Sequence, residues 1–291
     1  MGRIKTDGGQ ESNFAFRYRL GIFFLLTIPL GWIFWIQIFL GLWPLELVLI
    51  PSTLGAVSPL ISLKIIEKAT HKQVSFDGIL SSVRTWKSSI PYLILAAFAY
   101  PLLAIAANGI NFMLGLETEF FILDPVMYAE LGFVLLAVIP IHFSASLITS
   151  PLFEEPAWRG FAMTELQQRY GREIGSFIIG SYWWLWHQMM NISFGLEPSV
   201  LGYLSMVGQS FMIDSLFNLS KRNILTAMFA HQALGTTFTF IYNSSRHWTL
   251  MIFIWGLVII LRVLESRRGQ ISSNPSKEPF VLEESSIVNN R

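Results

Sequence analysis

Residues 131–161 read LGFVLLAVIPIHFSASLITSPLFEEPAWRGF. From Leu131 to Phe153 there is no Asp, Glu, Lys or Arg, and a run of about 20 apolar residues is enough to cross the hydrocarbon core of a bilayer. Directly behind it come Glu154, Glu155 and Arg159. Charge at membrane depth is costly and tends to be kept for function. The reading of the chain turns on what these three residues do.

The rest of the sequence agrees with a membrane setting. Of 291 residues, 53% are hydrophobic and only 13% charged, about half the charge of a typical soluble domain. Mean hydropathy is +0.51. The formal net charge of +1 comes from basic residues spread over many connections, so no concentrated patch points to nucleic acid. There are no cysteines, which excludes disulfides, thiolate metal sites, a cysteine nucleophile and lipidation of the chain at a C-terminal cysteine.

The expected fold is all-α, a polytopic membrane protein of eight transmembrane helices enclosing a polar cavity open to the cytosol. The spans read as Leu20–Leu42, Leu45–Ile66, Ile90–Leu114, Leu131–Phe153, Ser176–Ile192, Val200–Leu219, Ile224–Tyr242 and Trp248–Leu264. They form one domain over residues 17–266, between a polar tail at 1–16 and a polar, disordered tail at 267–291. No internal repeat is visible. Four Lys and Arg precede or open the first span, five lie in the second connection, three in the fourth, two at Lys221 and Arg222, and five from Arg262 onward. Only Arg246 falls elsewhere, whereas Glu117, Glu119, Asp124 and Glu130 share the opposite side. The positive-inside rule then sets both termini in the cytosol, in a multi-pass protein of the cell membrane.

Glu155 and Arg159 stand at i, i+4, in the favourable order for an ion pair on one helical face. Glu154 lies about a hundred degrees round the helix and remains free to face a cavity. Pro151 and Pro156 flank the pair and each withdraws a backbone N–H; such a disturbed helix belongs where it lines protein or water. An isolated pair at a span end is often a plain interfacial salt bridge. Here it has company. Trp183, His187 and Asn191 follow each other at i, i+4, i+8 on the fifth span, and His231 sits in the seventh. A carboxylate with two histidines suits a general base acting on water, or a metal such as zinc held by Glu154, His187 and His231 with one position open. Both chemistries are hydrolytic. Asp214 reads as a structural acid pairing with Gln209, Ser210 or a histidine, and is the residue a proton-coupled transporter would use. His142, His71 and His247 read as structural.

EEPAWRG resembles the Glu-Glu-x-x-x-Arg motif of the CAAX prenyl endopeptidase and bacteriocin-processing (CPBP, or Abi) family of intramembrane proteases. Trp183 to His187 resembles the family's Phe-x-x-x-His motif, and His231 to Gly235 its His-x-x-x-Asn motif, in the same order, over a core of about residues 131–242. The resemblance implies an endopeptidase that cuts near the cytosolic membrane surface, removing the C-terminal tripeptide of prenylated CAAX proteins. Its partners would be a peptide or prenylated protein C-terminus and membrane lipid, with no nucleic acid. It implies Glu154 as the base on water, His187 as its partner there, His231 at the oxyanion, and Glu155 and Arg159 as supports. Two positions depart from the pattern. Trp183 replaces a phenylalanine, one packing aromatic for another. Gly235 replaces an asparagine whose amide would serve the oxyanion, a loss of about a hundred- to thousandfold in rate, for which Asn191, Gln232 or a water could compensate. A weakened or inactive member serving bacteriocin immunity or partner binding is the alternative.

One mismatch of depth follows from these boundaries. His187 lies fifteen residues beyond Arg172, about 22 Å along a helix, whereas Glu154 ends its span. The two meet only if the fourth span runs deeper, the fifth starts later, or the helix carrying EEPAWRG dips inward.

Overall fold

The structure, a computed structural model, describes residues 14–241 and 247–271. Most of the expected N-terminal tail, the whole of the segment 242–246 and the C-terminal tail from residue 272 lie outside the described residues. Within them the chain is helical, apart from short connections and one isolated bridge between Leu123 and Ile241. Helix α1 (Phe14–Arg17) already belongs to the ordered part, and α2 (Arg19–Phe39) is the first long helix. It is followed by α3 (Leu49–Ala56), α4 (Ser58–Ala69), the short α5 (Phe76–Ser81) and the long α6 (Ile90–Met113).

The next segment departs from its expected boundary. Helices α7 (Pro125–Leu131) and α8 (Leu135–Ser146) are followed by a break, and α9 (Ser150–Glu155) starts afresh. Thr149 takes φ −107°, ψ −119°, outside helical space. Pro151 sits in the first turn of the new helix, where a missing N–H costs nothing. Pro156 then comes at its sixth position after Ser150, and the backbone widens into a π-helix over Pro156–Met163 before α10 (Thr164–Tyr170) resumes normal pitch. π-turns are uncommon and gather at functional sites. Thr164 Oγ1 donates to the carbonyl of Arg159 at 3.0 Å, helping to satisfy the widened turn. The span beginning at Leu131 therefore does not end at Phe153; it breaks, and a second helix runs on to Tyr170.

Gly171, at φ +83°, reverses the chain between α10 and α11 (Arg172–Ser193), a conformation that glycine adopts without a Cβ clash. Helix α12 (Val200–Leu219) is capped by Ser199, whose hydroxyl accepts from Gly202 N, and α13 (Ile224–Phe240) by Asn223, whose side chain accepts from Leu225 N. Helix α14 (His247–Ile271) closes the order. α12 packs between α11 and α14, and α13 against α6 and α9.

Six stretches among the described residues are long and apolar enough to cross a membrane: Arg19–Phe39, Leu45–Ala69, Phe76–Met113, Pro125–Tyr170, Val200–Leu219 and Trp248–Arg267. Helices α11 and α13, counted among the expected eight spans, are not among these stretches, α13 having only 17 residues. Both carry the polar residues of the interior: His187, Gln188 and Asn191 on one, His231, Gln232 and four threonines on the other. Trp35, Trp158 and Trp186 are the largest fully buried side chains, and Arg159 is fully buried as well.

Candidate active site

Measured from the turn at Gly171, Glu154 lies seventeen residues back along α10, the π-helix and α9, and His187 lies sixteen residues forward along α11. At 1.5 Å per residue both stand about 25 Å from the turn. The mismatch of depth disappears, because the helix carrying EEPAWRG is itself the deep arm of a hairpin.

The two glutamates have opposite surroundings. Glu155 is fully buried, and its Oε1 accepts from Arg159 Nη1 at 3.1 Å and lies 2.6 Å from His231 Nδ1. The same guanidinium donates from Nε to Asp214 at 3.1 Å and from Nη2 to Ser210 at 2.9 Å, and its plane lies over the Trp183 ring at 4.8 Å. Arg159 thus ties α9, the π-helix and α12 together with three directed bonds. Glu154 touches no cation among the described residues. It accepts from the Ser150 hydroxyl, one turn earlier, and from Trp183 Nε1 at 3.0 Å. Both donors are neutral.

His187 places Nδ1 2.8 Å from the Trp183 carbonyl. A carbonyl only accepts, so Nδ1 carries the hydrogen and Nε2 is the bare nitrogen of the neutral ring. The imidazole stands edge-on to Trp183 and Trp186, with centroids at 4.9 and 4.6 Å. His231 stands edge-on to Trp183 at 5.6 Å. Trp183 therefore contacts four members of the group: it bonds Glu154, receives His187, and packs on Arg159 and His231.

These side chains adjoin a cavity of about 880 Å³. Glu154, Trp183, His187, Asn191, His231 and Gly235 all line it. A Cβ placed on Gly235 would meet nothing nearer than the Gln232 amide at 3.9 Å, so the space an asparagine would fill is open. Gln232 does not fill it: its amide is turned to Thr236 Oγ1 at 3.1 Å. Asn191 remains the amide of the α11 stripe that faces the cavity. Two polar residues not foreseen as neighbours also line it. Gln209 donates to the Tyr100 hydroxyl at 2.9 Å, joining α12 to α6. No spacing rule reveals a contact between residues 109 positions apart.

Other expectations are corrected. Asp214 pairs with Arg159 rather than with Gln209 or a histidine, and both partners are wholly buried. The reason is reach: the guanidinium has donors left after meeting Glu155, and α12 passes beside it. Among the described residues no three His, Asp or Glu side chains are grouped so that they could hold a metal ion. Glu154 is bonded to Ser150 and Trp183, and the Nδ1 atoms of His187 and His231 are turned to the Trp183 carbonyl and to Glu155. His142 packs edge-on against Phe240 at 5.0 Å, away from the group, and its Nδ1 is buried without a bond among the described residues. His71 occupies a tight turn at φ +51°. The side chain of His247 lies outside the described residues.

A family model described as type II CAAX prenyl endopeptidase Rce1-like matches residues 136–258. Over that segment the chain is similar to the Rce1-like, CAAX-protease family. The match runs from α8 into α14 and takes in both glutamates, Arg159, Asp214 and both histidines of the site. No curated protein matches the chain. The apolar helices and this similarity support a multi-pass membrane protein.

Proposed function

We propose that the protein is an intramembrane endopeptidase in which Glu154 activates water against a peptide carbonyl. The observation that carries this is the contrast between the two carboxylates. Glu155 is neutralised by Arg159, while Glu154 is a buried carboxylate on the cavity wall with two neutral donors and no cation. A carboxylate held in this way keeps lone pairs for a proton. In the proposed reaction a water in the cavity gives a proton to Glu154, and its oxygen attacks the carbonyl carbon. The bare Nε2 of His187 accepts the water's other hydrogen bond and aims it. In its protonated form His231, fixed through Nδ1 by Glu155, presents Nε2–H to the oxygen that becomes negative. Glu154 then returns its proton to the leaving amine, and the C–N bond breaks. Arg159, Asp214 and Ser210 hold Glu155 and act only through it.

The substrate proposed is a peptide near the membrane surface, such as the prenylated C-terminus of a CAAX protein, in a cell membrane with both termini cytosolic and eight passes in all. The test is hydrolysis of a fluorogenic, prenylated C-terminal peptide by the purified chain beside Glu154→Gln. Loss of a general base should lower the rate about a hundred- to ten-thousandfold, with the fold retained. Equal rates would sink the proposal.

Gly235 favours a second reading, a non-catalytic member acting in immunity or partner binding. Gly235→Asn separates the two. The open space accepts the side chain, so an asparagine amide should raise hydrolysis by about a hundredfold, the reverse of removing an oxyanion donor. A chain that gains nothing from it is not limited by that donor.

A further inference from the structure

Tyr100 lines the cavity from α6 and is only 1% accessible, and its partner Gln209 lines it from α12. Their bond runs one way: the Gln209 amide donates and the phenol oxygen accepts, at 2.9 Å. A phenol that accepts one hydrogen bond still has a hydrogen of its own to give. Among the described residues nothing accepts that hydrogen. A buried donor without an acceptor is uncommon in a folded chain, and the reaction described for Glu154 makes no use of it.

The depth of Tyr100 in the bundle follows from bonds at the start of α6. Ser89 donates to the Ser220 carbonyl at 3.5 Å, and Asn223 Nδ2 donates to the Ser82 carbonyl at 2.9 Å. Helix α6 therefore begins beside the turn between α12 and α13. Counted from that shared level, Tyr100 lies eleven residues along α6, Gln209 eleven back along α12, and Gly235 twelve along α13. At 1.5 Å per residue all three stand about 17 Å from the turn. His231, eight residues beyond Asn223, stands one helical turn nearer to it. Helix α6 packs against α13, and the Tyr100 ring meets the Phe238 ring with centroids at 5.8 Å. Phe238 follows Gly235 at i+3, on the same face of α13. The phenol is thus held level with the position that carries no side chain, where only the Gln232 amide comes within 4 Å of a Cβ.

We propose that Tyr100 is a catalytic residue whose hydroxyl donates to the substrate carbonyl oxygen as that oxygen becomes negative, beside His231 Nε2–H. The proposal rests on the endopeptidase reading and gives the chain a donor of its own where position 235 offers no amide. The phenol keeps its hydrogen throughout; the charge it stabilises returns to the carbonyl when the C–N bond breaks. A neutral donor suits this place, because it needs no counter-ion in an apolar wall. Gln209 is a positioning residue: by donating to the phenol oxygen it fixes the hydroxyl and strengthens its donation.

The test compares two ligands on full-length Glu154→Gln, with and without Tyr100→Phe. One is the prenylated C-terminal peptide; the other is the same peptide with the scissile amide replaced by a phosphinate, which is tetrahedral and negative. Glu154→Gln leaves the amide uncut and removes the glutamate's own charge from beside the phosphinate. Tyr100→Phe should raise the phosphinate Kd about tenfold or more, part of the hundred- to thousandfold that one oxyanion donor contributes to rate. The Kd of the amide peptide should stay within about twofold, since a donor aimed at the transition state adds little to ground-state binding. An unchanged phosphinate Kd, equal losses for both ligands, or no preference of Glu154→Gln for the phosphinate overturns the proposal. In hydrolysis, Gly235→Asn should gain more in Tyr100→Phe than in the parent chain, because two donors to one oxygen are coupled; equal gains overturn it as well. Where Tyr100→Phe is not monodisperse on gel filtration, O-methyltyrosine at position 100 takes its place, keeping the oxygen that Gln209 bonds and removing only the hydrogen. Equal hydrolysis by the parent and Glu154→Gln sinks the endopeptidase reading alone, and the phosphinate comparison still decides the role of Tyr100.

Discussion

Helix α8 and the helix that begins at Ser150 come from one uninterrupted stretch of sequence, yet they meet their surroundings in opposite ways. In α8 only Leu135 is buried; Leu136 and Ile141 are more than two-thirds accessible. From Glu154 to Thr164 every residue but Gly160 is buried, and four of them are ionisable or hydroxylic groups held by directed bonds. The first segment presents apolar side chains outward, as lipid permits. The second puts charge in the protein interior and satisfies it there. Position along the chain does not distinguish them; the break at Thr149 does, by letting the second helix turn into the bundle.

The largest way to test this contrast is to remove the cation. Arg159→Leu leaves Asp214 without its ion-pair partner and Glu155 with His231 alone, at sites with no exposure. Stripping one partner from a buried ionic group costs about 3–5 kcal/mol. Thermal unfolding of the detergent-purified variant should show that loss, together with loss of hydrolysis. A variant as stable as the parent would mean that the segment is not held by its charges.

How much of this was legible in the sequence depends on distance along the chain. The i, i+4 rule is local, so the bond between Glu155 and Arg159 could be read from PLFEEPAWRGF, as could the stripe of Trp183, His187 and Asn191 that lines the cavity. The contacts of Arg159 with Asp214, 55 residues away, and of Glu155 with His231, 76 away, depend on packing. Hydropathy hid the break at Thr149, because both sides of it are apolar, and the prolines that mark it also occur inside unbroken helices such as α2 and α6.

Trp183 shows how a residue type can be read correctly and its role missed. Taken as a packing substitute for phenylalanine, it also supplies an indole N–H to Glu154. Trp183→Phe keeps the ring and removes that bond. A hydrogen bond to a charged group contributes about 1.5–3 kcal/mol, equivalent to about tenfold to hundredfold in rate. As a positioning residue it should lower kcat with little change in KM, while a purely packing role would move the melting temperature and leave kcat intact.

The smallest expected effect lies in α8, and it defines the other side of the contrast. Ile141 is 67% accessible and contributes no bond to the site. Ile141→Ala removes three carbons from a side chain that has little protein around it, so no cavity forms, and its helix propensity improves slightly. Stability should stay within about 0.5 kcal/mol of the parent, the usual range for surface positions, and hydrolysis should be unchanged. A loss comparable to that of a core residue would show that α8 is covered by something, another protein or a second copy of the chain, and that its apolar face is an interface rather than a surface given to lipid.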